Sequence, residues 1–540
     1  MSRTRVELIA AVMALAVLVF GGAALLKGGF YLGKHEGDAM HLADLVLRMA
    51  DGQWPHLDFM TPIGVLAIAP IALFVKAGFG IGHAIFYAQI LVALILFLPT
   101  LYVAKTRLTG IWPYVYGVFV MLLPLALVHG EAQSAISISM HYNRWAWGVA
   151  YVLVPLAVLA PLGRDRRWLD GALIGAGLGL LVLLKITYFV ALFPGIMVAL
   201  LARRNGTAFV AAILAGLAVA AVTTAIAGPV FWLAYLKDLL TVATSEGRQA
   251  PGESFAGVVT LPLYVGGSLA LVATVIFLRQ SGRMVEGLAL LILMPGFFYI
   301  AYQNFGNDPQ WMYLLMLLAF VLRPGPEVTN SYGWNMRRAL GTIGVMALAF
   351  GAPSALNLAF SPFRHLASDT EKTAPLLPAL PQHADLRTEE KRIYTANLKR
   401  PYDNPGDPFA AYREIAERED PDTLNGEVLP MCQFEGGMTP WFEVVAADLE
   451  QAGYAGSRII STDLYSAYWM FGDFQSVKGA APWYYGGLPG IENADYIVVP
   501  LCPMSLSLRH EMLSALDKKG WTLRAVRRTD LYILMAASKV

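Results

Sequence analysis

Three carboxylates lie close together near the start of the chain. The stretch Lys34-His-Glu-Gly-Asp-Ala-Met-His41 carries Glu36 and Asp38, and Gly52-Gln-Trp-Pro-His-Leu-Asp-Phe59 carries Asp58 among aromatic side chains. A carboxylate held beside apolar surface can act as a general base, and carboxylates in one loop can also hold a divalent cation. The structural alternative is a helix cap at Asp38 and a solvated turn at Asp58. His35, His41 and His56 fall in the same loop, but their spacing matches no metal motif.

Other polar groups stand apart in sequence. Ser139-Met-His-Tyr-Asn-Arg-Trp145 opens a helix with His141 and Arg144, and an arginine at a membrane edge suits a phosphate or snorkels to headgroups. Lys185-Ile-Thr187 falls in a tight turn between two apolar runs, where a cation meets a lipid phosphate or anchors the helix end. Tyr302-Gln-Asn-Phe-Gly-Asn-Asp-Pro-Gln-Trp311 offers Asn304, Asn307 and Asp308, residues that bind hydroxyls and also make ordinary turns. Near the C-terminus, Trp469 and Trp483-Tyr-Tyr-Gly-Gly487 suit either stacking on a glycan or docking onto the rest of the chain.

The elements that must bring these groups together are read against lipid. The chain is 56% hydrophobic and only 15% charged over 540 residues, more apolar surface than a water-soluble domain carries. A first apolar run from Val6 to Leu26 follows Arg3 and Arg5 and reads as an uncleaved helix rather than a signal peptide. Later runs lie near 62–80, 82–104, 111–129, 144–161, 168–184, 187–202, 208–228, 258–278, 284–301, 310–322 and 339–358. Basic clusters at Lys105/Arg107, Arg164/Arg166/Arg167, Arg203/Arg204, Arg279/Arg283 and Arg323/Arg337/Arg338 all fall inside only if the 62–80 run does not cross. That run holds Pro62, Pro70 and Lys76, which suits a juxtamembrane helix.

About eleven crossings then place the N-terminus in the cytoplasm and every polar segment above on the other side. The loop from about 229 to 257 has an amphipathic start and is expected to lie flat on the membrane. The expected organisation is a polytopic α-helical core over 1–360, with a first outer loop at about 27–81. A linker over 361–425 leads to a periplasmic α/β domain over 426–540. In that domain strands are expected near 427–432, 458–462, 495–500 and 522–536, and helices near 441–452 and 506–519. Cys432 and Cys502 each end a similar apolar run, consistent with a disulfide or with two buried thiols. Nothing in the charge pattern suggests nucleic acid, and spans nearly free of charge at mid-depth argue against a transporter.

This arrangement resembles the GT-C superfamily of membrane glycosyltransferases, the class of protein O-mannosyltransferases and aminoarabinose transferases. Gly52-x-x-Pro55-His-x-Asp58-Phe-x-Thr-Pro62 is similar to the G-x-x-P-Y-x-D-F-x-x-P stretch of bacterial members, and the Lys185-x-Thr187 turn looks like one that recurs in them. Glu36-Gly37 matches the family's D-E-G motif, with His35 in place of its first Asp. The resemblance implies inverting transfer of a sugar from a polyprenyl-phosphate donor to an envelope glycan, lipid or protein in a bacterial inner membrane. It further implies Asp38 or Glu36 as the base and Lys185 and Arg144 at the donor phosphate. Asp58, His141, Asn307 and Asp308 would stand around sugar or acceptor. An O-antigen-type ligase or polymerase acting on lipid-pyrophosphate-linked glycan is one rival, and a non-catalytic binding or transport component is another.

Overall fold

The computed structural model describes residues 5–130, 133–245, 254–307, 309–418 and 420–539. It begins with α1 (Val6–Leu25), strand β1 (Phe30–Leu32), α2 (Glu36–Ala50) and the short α3 (Ala69–Lys76). The bundle continues with α4 (Ile81–Arg107), α5 (Trp112–Leu125), α6 (His141–Val158), α7 (Arg167–Leu184), α8 (Ile186–Ala202) and α9 (Gly206–Ala227). After α10 (Val230–Ala243) and α11 (Phe255–Val259) come α12 (Pro262–Gln280), α13 (Met284–Gln303), α14 (Trp311–Val321) and α15 (Met336–Ala367).

Among the described residues seven helices, α1, α4, α7, α9, α12, α13 and α15, are long and apolar enough to cross a membrane. With α5, α6, α8 and α14 they make up the expected eleven-helix bundle, and the protein is a multi-pass membrane protein. The 62–80 run folds as a 3-10 turn and α3, whose eight residues reach only about 12 Å, well short of a hydrocarbon core. The α5 and α14 helices are also short, at 14 and 11 residues. Each needs irregular backbone to complete its path, and such backbone is tolerated at membrane depth only inside protein. The segment after α5 obeys this rule, since residues 126–130 are buried.

Its backbone groups are met by a polar ladder on α15. Ser354 donates to the Gly130 carbonyl, Asn357 to that of Gln133 and Arg364 to that of Ser134, while Ser361 accepts from the Leu127 amide. These residues recur at three- and four-residue steps, so they share one helix face.

Contacts sort the connections onto two faces. On one, Arg107 pairs with Asp170 at 2.5 Å and Asn330 donates to Gln280 at 2.9 Å, joining the arginine-rich linkers. On the other, β1 pairs in parallel with β3 (Leu386–Glu389), which also pairs with β2 (Thr373–Pro375). The first loop and the C-terminal region therefore lie on the same side of the bundle. Part of the stretch expected to be a linker is thus built into the first loop by a three-stranded sheet.

Beyond it come α16 (Glu390–Tyr394), β4 (Asn397–Lys399), the small hairpin β5 (Thr423–Leu424) and β6 (Glu427–Val428), and β7 (Gln433–Glu435), which pairs with β4. The main sheet is formed by β8 (Ile459–Ser461), β9 (Tyr496–Pro500), β10 (Trp521–Arg528) and β11 (Tyr532–Lys539), in the order β10-β11-β9-β8. It is flanked in sequence by α17 (Met438–Gln451) and α18 (Leu506–Lys518). Two sequence expectations change. The 522–536 strand is a hairpin that turns at Thr529 to Leu531, and the run ending at Cys432 stays outside the main sheet because Leu429 bonds back to Asp422. Cys432 and Cys502 nonetheless form a disulfide, with Cα atoms 4.9 Å apart, because Phe434 donates to the Pro503 carbonyl beside it.

Candidate active site

The α2 helix begins at His35, which adopts left-handed backbone with φ 65°. Non-glycine residues rarely do so, and His is among the more tolerant. Its ring is held at 2.9 Å by the Ser137 hydroxyl and meets the edge of His129 at 5.3 Å. Glu36 and Asp38 then occupy the first turn of α2, two positions apart and so on different sides of the helix.

Their partners differ accordingly. Glu36 accepts from Nε and Nη2 of the Arg392 guanidinium and from the Thr388 hydroxyl, the last at 3.1 Å. Burial raises its pKa, but the Arg392 hydrogen bond and charge outweigh that, and the net shift is downward. Asp38 instead accepts from the Ser139 hydroxyl at 2.5 Å and lines a cavity of about 300 Å³. Around the carboxylate stand His41, His141, Tyr142, Phe305, Trp483 and Tyr485.

A second cavity of about 490 Å³ holds Lys185, Thr187 and Gln303. The two share Ile63, Tyr142 and Tyr485 as lining residues, so they abut. Lys185 is the extended residue between α7 and α8, with φ −157°. Its ammonium donates to Asn304 at 2.8 Å and sits 4.9 Å from the centre of the Tyr142 ring, a cation–π distance. The far wall is α10, contributing Leu239, Leu240, Val242 and Ala243. That helix is pinned to the first loop through Asp238, which accepts from His56 at 2.9 Å and from the Thr61 amide at 3.2 Å.

The remaining sequence candidates take other positions. Asp58 braces its own turn by accepting from the Trp54 amide at 2.9 Å and pairs with Lys478 at 3.2 Å, so it joins the loop to the C-terminal region. Arg144 is fully buried, donates to the Val128 carbonyl and lines neither cavity. His141 borders the Asp38 cavity while its Nε2 meets the Ala67 carbonyl at 2.9 Å. The Asn307 amide closes a turn on the Asn304 carbonyl at 3.0 Å, and Asn307 lines neither cavity. Asp308 and Arg3 lie outside the described residues, as does most of the polar end of the 229–257 loop.

Two cavity-lining positions were not among the sequence candidates. Ser139, the partner of Asp38, is 101 residues away along the chain, and no local pattern links them. Tyr485, which stands between the cavities, was one of several aromatic residues of the tail with two readings. The structure divides those readings: the Trp469 indole donates to Asp44 at 3.2 Å and docks the tail, whereas Trp483 and Tyr485 face a cavity. Among the described residues no group of three His, Cys, Asp or Glu side chains gathers to hold a metal ion. His35, His41 and His56 are each engaged in a different place.

No protein-family model matches the chain, and no curated protein matches it. Among solved structures it is similar to ArnT from Cupriavidus metallidurans in the apo state. The two align over 98% of each chain with a TM-score of 0.39 and 11% sequence identity.

Proposed function

We propose that the protein is an inverting glycosyltransferase of GT-C type that moves a sugar from a polyprenyl-phosphate donor to an acceptor outside the cytoplasm. One observation carries this reading. A carboxylate cavity and a lysine cavity abut at one face of a membrane bundle, and an amphipathic helix walls the lysine side. A polyprenyl phosphate keeps its chain in lipid and its sugar in water, so its enzyme needs base and cation together at that depth.

Asp38 takes the proton of the acceptor hydroxyl as that oxygen bonds to the anomeric carbon. The bond from this carbon to the phosphate oxygen breaks, and its electron pair leaves with polyprenyl phosphate. The extra negative charge forms beside Lys185. Attack from the face opposite the phosphate inverts the anomeric carbon. Glu36 is the weaker candidate for the base because Arg392 and Thr388 already occupy its oxygens. The basic linkers on the opposite face favour a periplasmic site in a bacterial inner membrane, with an envelope glycan, lipid or protein as acceptor. The O-antigen-ligase alternative leans on outer-loop arginine and histidine, and Arg144 and His141 are instead buried against backbone carbonyls.

The test is transfer from a panel of radiolabelled polyprenyl-phosphate sugars by membranes carrying wild type or variants at equal expression. Asp38→Asn is expected to lower kcat about 10²–10⁴-fold, the usual contribution of a positioned base. Lys185→Met should be similarly impaired, while Glu36→Gln stays within a few fold. No transfer with any donor, or transfer indifferent to Asp38→Asn, sinks the reading.

A further inference from the structure

The acceptor class is the part of this reaction that the shape of the site addresses next. If the donor phosphate lies at Lys185, the hydroxyl that Asp38 deprotonates must come from a molecule in the Asp38 cavity. We infer that this cavity is an acceptor subsite for a neutral sugar ring, and that the C-terminal region supplies its stacking face through Trp483, a role that rests on the glycosyl-transfer reading above.

Three observations carry the inference. The first is the chemistry of the walls. Trp483, Tyr485, Tyr142, Phe305 and His41 offer aromatic faces beside the single carboxylate, and the cavity, at about 300 Å³, is at the small end of ligand sites. An aromatic face against the C–H face of a pyranose, with polar groups at its rim, is how such walls bind a neutral sugar.

The second is what the walls lack. No Lys or Arg is among the described residues lining this cavity, so a phosphate on the acceptor has no counter-charge there. None of the lining residues belongs to a β-strand, so no sheet edge is offered for an extended peptide to join.

The third is rigidity. Trp483 forms an antiparallel bridge with Tyr465, and the Tyr484 amide donates to the Leu464 carbonyl at 2.9 Å. The Tyr465 ring meets Trp483 edge-on at 5.1 Å, and the tilted His41 ring lies 5.4 Å from it. The 463–466 turn is itself fixed by Asp463, which accepts from the Leu464 and Met504 amides, each at 2.7 Å. A Cβ at Gly37, next to the catalytic turn, would stand 2.6 Å from the Tyr465 hydroxyl, which shows how closely this aromatic cluster sits on the start of α2. Trp483 is therefore held in place before any ligand arrives, as a stacking platform must be.

In the step proposed, an acceptor sugar stacked on Trp483 presents one hydroxyl to Asp38. Its proton passes to the carboxylate, its oxygen bonds to the donor's anomeric carbon, and polyprenyl phosphate departs with the electron pair. The probes are p-nitrophenyl glycosides of glucose, galactose, mannose and rhamnose, a serine- and threonine-containing peptide, and a diphosphorylated glucosamine lipid. Each is offered to purified full-length protein in nanodiscs with the polyprenyl-phosphate sugar that the donor panel selects. Release of free sugar to water is followed without acceptor.

The expected result is transfer to at least one neutral glycoside. Trp483→Ala should raise the acceptor KM at least tenfold, far more than it shifts the donor KM, and Trp483→Phe should recover most of the loss. Transfer confined to the peptide or the phosphorylated lipid overturns the inference, and so does a wild-type acceptor KM in Trp483→Ala. If Trp483→Ala loses release to water as well, the bulkier non-aromatic Trp483→Leu decides: an acceptor KM raised far more than the donor KM supports the platform, and a native acceptor KM overturns it. Neither release nor transfer by wild type with any donor removes the glycosyl-transfer reading itself, and this inference falls with it.

Discussion

Glu36 and Asp38 stand two positions apart at the same helix end, and their different surroundings follow from helical geometry rather than from side-chain chemistry. A step of two residues turns the side chain by about 200°, so one carboxylate meets the tail at Arg392 and the other meets the cavity. Ser139 then fixes which oxygen of Asp38 stays engaged. Ser139→Ala is expected to lower kcat about tenfold, more than it raises either KM, and Ser139→Thr to restore much of it, because the proposed base would lose the hydroxyl that orients it. A change in KM alone would assign Ser139 to binding instead. Glu36 responds to acid in a defined direction. Its folded pKa lies below the ordinary 4.5, so its pairing stabilises the fold above that value and is lost as pH falls through the lower folded value. Glu36→Gln should therefore flatten the decline in melting temperature below about pH 4.5. At this scale the sequence pointed to both carboxylates but could not tell their surroundings apart, because Arg392, Thr388 and Ser139 all come from distant segments.

Amphipathic α10 shows what a single element adds. Its amphipathic character was readable in the sequence. Its function as the wall of the Lys185 cavity was not, because the tie is made by a buried pair from separate segments. His56 sits with its ring centre 4.4 Å from that of Tyr235 and donates to Asp238, which also accepts from the Thr61 amide. Removing one partner of such a buried group costs about 1–3 kcal/mol, enough to let the helix swing away from the loop. Asp238→Ala is thus expected to raise the donor KM about tenfold while kcat falls much less, measured with the same labelled donors. An equal fall in kcat with unchanged donor KM would place the effect at Asp38 rather than at the wall. The polar ladder of α15 makes the same point in reverse. Ser354, Asn357, Ser361 and Arg364 carry no motif, and their task is visible only once the backbone of Leu127, Gly130, Gln133 and Ser134 lies against them.

At the scale of the whole molecule, the bundle's sidedness rests on α3. Hydropathy alone gives one more apolar run than the charge pattern allows, and the arginine clusters resolve the conflict only if 62–80 stays on one side. The α3 helix is too short to cross, and the backbone after it is tied to the tail: His83 pairs with Asp385 at 2.7 Å, and Gly80 and Gly82 approach the same residue so closely that a Cβ on either would clash. The pairing of β1 with β3 makes the second tie between the two regions. This joining was beyond the sequence, where residues 361–425 read as a linker, since parallel pairing of two short strands more than three hundred residues apart leaves no local signature. It leads to a prediction free of any assumption about chemistry. Both native cysteines are in the disulfide, so single introduced thiols report position cleanly. Ala77→Cys, just after α3, and Glu414→Cys, in the tail, should react together with a membrane-impermeant maleimide added to intact spheroplasts. Thr109→Cys, between α4 and α5, and Asp165→Cys, before α7, should react only after permeabilisation. All four sites lie outside the bundle's interior, so burial does not mask the answer. Opposite labelling of Ala77→Cys and of Asp51→Cys, an exposed site just after α2 and before the run, would mean that the 62–80 run crosses. The first loop would then be split between two compartments, and Asp38 and Lys185 could not serve one site.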